Sequence, residues 1–113
     1  MTPQTDMHGR QLSAVVFVHD YLQLQFDGTT VTQTRWPVVH IKGKEFRHGT
    51  AGYRDALCEM IQKVVDTVDV DAARRVKISF DDGSTLTTPL AGADGDEPET
   101  IRIDQQDGKW WVW

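Results

Sequence analysis

Apolar and polar residues alternate along most of this chain, and the alternation is interrupted by Asp-Gly pairs at Asp27-Gly28, Asp82-Gly83 and Asp107-Gly108. Asp-Gly supplies a positive φ at little steric cost, so between alternating segments it marks a β-hairpin. Gln11 to Val18 puts Leu12, Ala14, Val16 and Val18 on one face and Val15 and Phe17 on the other. Apolar residues on both faces predict a central strand. Tyr21 to Phe26 is half-solvated by its pattern, with Leu22, Leu24 and Phe26 inward and Tyr21, Gln23 and Gln25 outward. A two-residue Asp27-Gly28 loop then pairs Phe26 with Thr29, Leu24 with Val31 and Leu22 with Gln33. Pro37 has no N–H to give a ladder, so this third strand lies at an edge or breaks near Trp36, with Val38, Val39 and Ile41 continuing beyond.

One stretch follows a different period. On a helical wheel Gly52 to Val68 gathers Tyr53, Leu57, Met60, Ile61, Val64 and Val68 on one arc, opposite Asp55, Glu59, Gln62, Lys63 and Asp66. That pattern predicts a long amphipathic helix lying on the sheet. Beyond Asp69, Val76, Ile78 and Phe80 alternate with Lys77, Ser79 and Asp81. A three-residue Asp81-Asp82-Gly83 loop sets Ile78 opposite Leu86, whereas a two-residue loop sets the polar Ser79 there, so the longer loop is preferred. Leu86 to Leu90 closes this hairpin, Gly92 to Glu99 is an acidic linker, and Thr100 to Gln105 and Lys109 to Trp113 are the last strands. The expected fold class is therefore α+β: an antiparallel sheet of six or seven strands built from consecutive hairpins, with one long amphipathic helix packed on one face. Residues 1–10 are expected as a flexible N-terminal tail and residues 11–113 as a single domain. His40 to Ala51, with Gly43 and Gly49 and no clear period, is expected as a surface loop.

Composition narrows the function classes. A chain of 113 residues, 39% hydrophobic, suits one core, and no run approaches the ~18 apolar residues of a membrane span. Met1 to Arg10 lacks the basic start and apolar stretch of a secretion signal, so a cytoplasmic location is expected, and the single Cys58 forms no internal disulfide. A net charge of −5 excludes general nucleic-acid binding, which needs clustered Lys and Arg, and suits a basic protein partner.

Candidate chemistry is sparse. Trp110-Trp111-Val112-Trp113 must point indoles to both faces of a strand. Beside the reading that these rings fill a core edge stands a sharper one: Trp110, Trp111 and Trp113 join Trp36 and Tyr21 in an exposed interface patch. The stretch His40 to Asp55 is locally basic, with Lys42, Lys44, Arg47 and Arg54 against Glu45 and Asp55. Ahead of a helix N-terminus, His40, Arg47, His48 and Arg54 are candidate ligands for an anion, although no phosphate-loop pattern is present and a solvated loop explains the same residues. The four histidines have no metal-ligand spacing, so neither metal nor cofactor is expected, and Gly92 to Glu99 lacks the closing Glu of a calcium loop. His19-Asp20 reads as a polar turn and Cys58 as a small packed hydrophobe.

Val15 to Gly28, Trp36-Pro37 and Gly52 to Cys58 together resemble small bacterial proteins of a family of unknown function. The resemblance implies a free-standing domain and supplies no activity. The leading expectation is a non-enzymatic binding or self-associating module: a homodimer formed over an uncovered sheet face, or an acidic immunity-type protein that captures a basic partner. The competing expectation is a small anion binder or enzyme built on the basic stretch.

Overall fold

The structure is a computed structural model that describes residues 7–71, 74–90, 100–105 and 108–112. Its ten strands form two antiparallel sheets of five. Sheet I joins β1 (Leu12–Phe17), β2 (Leu22–Phe26), β3 (Thr29–Gln33), β9 (Ile101–Gln105) and β10 (Trp110–Val112) in the order β1-β2-β3-β9-β10. Sheet II joins β4 (Val38–Ile41), β5 (Lys44–Phe46), β6 (Val65–Asp71), β7 (Arg75–Phe80) and β8 (Thr85–Pro89) in the order β5-β4-β8-β7-β6. A single short helix, α1 (Tyr53–Glu59), is the only one among the described residues.

Each sheet buries one face in a shared core. Leu22, Leu24, Phe26, Val31, Ile101 and Ile103 meet Val39, Ile41, Val76, Ile78, Phe80 and Leu86, with Phe26 and Phe80 stacked at 6.4 Å between centroids. Buried aliphatic side chains of this kind each contribute roughly 1.5–3 kcal/mol before conformational entropy is subtracted. Gln33, buried on the same face, donates from Nε2 to Thr88 Oγ1 and to the Arg35 carbonyl, both at 2.8 Å, and so ties β3 to β8 across the layers.

The α+β expectation is overturned. The expected helix stops at Glu59, because Met60 and Ile61 close onto Leu57 and Cys58 through three-residue bonds and Gln62 then takes φ 81, a left-handed value that ends a helix. The residues beyond, Val64, Val65, Thr67, Val68 and Val70, are β-branched, which costs a helix up to about 0.7 kcal/mol each and suits a pleated surface. From Val65 on they belong to β6, paired with β7 from Val65↔Phe80 to Asp71↔Arg75, while Val64 bridges Gln11. The apolar arc on the wheel thus merged a short helix, which buries Tyr53, Ala56 and Leu57, with a strand of a different period.

Two further expectations are corrected. β1 is an edge strand of sheet I and not a central one, since β2 pairs it on one side only. The stretch expected as a loop is a hairpin: β4 and β5 pair His40 with Glu45 around Lys42-Gly43, whose φ values of 51 and 78 are the two positive angles of a tight hairpin turn. Elsewhere the register agrees with the pattern. Phe26↔Thr29, Leu24↔Val31 and Leu22↔Gln33 align in sheet I, and Ile78↔Leu86 aligns in sheet II across the three-residue loop, with Gly83 at φ 90. Within the stretch expected as a tail, Met7 is fully buried and Gly9 N–H donates to the Val65 carbonyl at 2.8 Å; residues 1–6 lie outside the described residues. No helix among the described residues is long and apolar enough to cross a membrane.

Candidate binding surface

The basic stretch is divided between two places. On β4 and β5 the carboxylate of Glu45 accepts from both sides, with His40 Nε2 at 3.0 Å and Arg47 Nε at 2.6 Å. The Arg47 hydrogen bond, ahead of the contributions from His40, holds the Glu45 carboxyl below its ordinary range. His40 and Arg47 are thereby engaged with an internal anion. His48 instead stacks flat on Trp36, 4.3 Å between centroids and 4° between planes, and meets Tyr53 edge-on at 5.7 Å. Tyr53 starts α1, is buried, and donates its hydroxyl to the Pro37 carbonyl; burial pushes its phenol pKa up. His48 and Arg54 line one shallow hollow, which Asp55 shares. Among the four expected anion ligands, only these two come together, and they do so beside a carboxylate.

The expected indole patch is also divided. Trp36 is half-buried at the β1 side of sheet I, where its ring stacks on Phe17 at 6.0 Å. Trp110 lies on β10, the opposite edge, 58% exposed, and pairs in register with Asp104 on the outer face. The Arg102 guanidinium sits 4.9 Å from the Trp110 ring centroid while donating from Nε to both Asp104 oxygens at 2.9 Å, an arrangement no sequence pattern announced. Trp111 turns inward opposite Ile103 and packs against the core, Tyr21 is half-buried where β1 turns into β2, and Trp113 lies outside the described residues. These indoles do not form one surface. Nor does either sheet leave an apolar face uncovered: the outer face of sheet I runs through Gln25, Thr30 and Asp104 and through Gln23, Thr32 and Arg102, and that of sheet II through His40, Thr85 and Ser79.

What remains open is an edge. Exposed strand edges present unpaired N–H and C=O groups, and natural sheets blunt them with charge, brevity or cover. The edge strand β6 carries Asp66, Asp69 and Asp71; β5 has three residues and includes Lys44 and Glu45; β10 has three described residues. β1 has no charge at all. At its start it is covered, because Leu12 N–H donates to the Lys63 carbonyl at 3.0 Å and Gln62 N–H donates to the Leu12 carbonyl at 2.7 Å. Past Leu12 no strand pairs with this side of β1 over Ser13, Ala14, Val15, Val16 and Phe17; α1 approaches β1, Ala14 to Val16 are half-buried, and Phe17 is 38% exposed.

The alternation of the ladder says which groups are free. Val18 and Tyr21 exchange both hydrogen bonds, N–H to carbonyl at 2.9 and 3.3 Å, so Val16 and Ala14 also face β2 and the N–H and C=O of Val15 and Phe17 point away from it. The pattern alone does not show this surface, because apolar residues on both faces of a strand read as burial. The signal that could have found it was the absence of any Asp, Glu, Lys or Arg between Arg10 and Asp20. No protein family, curated protein or solved structure matches this chain.

Proposed function

We propose that this protein is a non-enzymatic binding module that takes up an extended peptide segment along the free edge of β1. The observation that carries the reading is the uncharged Ser13–Phe17 edge, with Val15 and Phe17 offering unpaired backbone groups beside the Phe17–Trp36 stack. Main-chain bonds would supply the affinity, and Val15 and Phe17 on one face with Ala14 and Val16 on the other would supply the side-chain fit. The polar groups that suggested chemistry argue the same way by being engaged elsewhere: His40 and Arg47 with Glu45, His48 with Trp36.

A soluble lysine-tagged peptide copying Leu12 to Val18, titrated into isotope-labelled protein, tests this directly. The expected result is saturable change at the Val15 and Phe17 amides with little change at Trp110. Amides of Val15 and Phe17 that stay put up to millimolar peptide would end the proposal.

A further inference from the structure

We infer that the natural occupant of the β1 edge is the β1 edge of a second copy of this chain, the two running antiparallel about a two-fold axis at Val15; this rests on the edge reading above. The free window fixes the register. Cover by Gln62 and Lys63 stops any pairing at Leu12, and the turn through His19 and Asp20 stops it after Phe17, so the window runs from Ser13 to Phe17 and its centre is Val15. Centring there puts Val15 opposite Val15 of the second copy and Phe17 opposite its Ser13. Val15 is also a residue whose N–H and C=O both point outward, so the two copies exchange a matched pair of N–H···O bonds at the axis.

Charge permits this pairing and forbids the obvious alternative. Two copies meeting at β1 bring no like charges together within the window, whereas two β6 edges would set Asp66, Asp69 and Asp71 against their equivalents on a chain already carrying −5. Where the window ends, Arg10 donates to the Asp27 carbonyl and Lys63 to the Asp82 carboxylate, and Asp20 of the second copy, exposed on its turn, arrives beside these two cations. The pairing joins the two copies of sheet I into one continuous sheet of ten strands and removes the longest uncharged edge among the described strands, six residues in β1 against three in β10.

Light scattering over protein concentrations from about micromolar to millimolar reads the assembly. The expected mass rises from 12.8 kDa toward twice that value. Val16 lies on the outer face opposite Gln23, so Val16→Lys leaves the core alone and sets two lysines roughly 7–8 Å apart across the axis. It is expected to weaken the dimer at least about tenfold. Because a lysine could also perturb the fold, cysteine cross-linking in a Cys58→Ser background gives an independent measure. Val15→Cys places two thiols on residues about 5.5 Å apart at Cα, inside disulfide range, and is expected to cross-link under mild oxidation, while Trp110→Cys is not. A chain that stays at 12.8 kDa at millimolar concentration overturns the inference, as does a dimer that Val16→Lys leaves intact or that cross-links through Trp110→Cys alone. If the chain stays monomeric while the β1 peptide still shifts the Val15 and Phe17 amides, the binding module stands and only the second copy falls.

Discussion

Gln33 is the most demanding residue of the core, and its replacement separates the cost of a lost hydrogen bond from that of an orphaned partner. Its side chain is 1% exposed, with Nε2 donating to Thr88 Oγ1 and to the Arg35 carbonyl at 2.8 Å each, while its Oε1 has no partner. Gln33→Leu removes two hydrogen bonds worth about 1 kcal/mol each and strands the Thr88 hydroxyl and the Arg35 carbonyl, at roughly 1–3 kcal/mol per unsatisfied group. It also removes the unpartnered Oε1, whose burial already costs an amount of the same order. The net expected loss is therefore modest, about 1–3 kcal/mol, well below the sum of the parts. Thr88→Val alone strands one Gln33 N–H and is expected to cost about 1–2 kcal/mol. In the double variant no polar side chain of this pair is left facing an apolar neighbour, with only the Arg35 carbonyl still lacking its donor, and the two changes should recover about 1–2 kcal/mol relative to additivity. Urea unfolding followed by tryptophan emission gives the four corners of this cycle, provided the slope with denaturant is unchanged. Additivity within about 0.5 kcal/mol would refute the claim that this pair couples the two sheets.

Three other outcomes follow from the same coordinates. Lys63 and a bond from the Ser84 N–H hold the Asp82 carboxyl down at about 2 against an ordinary 3.8, so its contribution is complete above the ordinary value and is lost as pH falls from about 4 toward 2. With the Asp82 side chain 42% exposed, screening reduces that contribution to about 1 kcal/mol, and Lys63→Met should flatten the acid limb of the stability curve by that amount; an unchanged limb would remove the ion pair from the account. Gly83 sits at φ 90 with open space where a Cβ would go, so Gly83→Ala is expected to cost roughly 1–2 kcal/mol from backbone strain alone, and a melting temperature equal to wild type would contradict it. In the hollow shared by His48 and Arg54, the nearby Asp55 opposes an anion, so phosphate is expected to leave the melting temperature unchanged; a shift that Arg54→Ala abolishes would restore the anion-binding alternative.

Part of the architecture is written locally. The β2/β3 and β7/β8 registers follow from Asp27-Gly28 and from Asp81-Asp82-Gly83, because a hairpin's pairing is set by its own turn and the alternation beside it. The β4/β5 hairpin is equally legible, since Val39 and Ile41 alternate with His40 ahead of Lys42-Gly43, but it lacks the Asp-Gly signal that marks the other hairpins. At the candidate site, His48 and Arg54 do come together as the basic stretch suggested, whereas the engagement of His40 and Arg47 by Glu45 depends on a hairpin that brings residue 40 beside residue 45.

By itself the sequence determined which residues alternate, where the tight turns fall and which side chains share a face. Tertiary structure alone decided that there are two sheets, that β3 receives β9 from the far end of the chain, and that the apolar arc after Glu59 becomes a strand. The physical reason is that a β-branched apolar stretch such as Val64 to Val70 satisfies its backbone equally well in a helix or a ladder until a particular partner strand is present. The same reason hid the free edge of β1. Apolar residues on both faces look alike whether the strand is covered by its own chain or left waiting for another, and only the order of strands in sheet I tells the two apart.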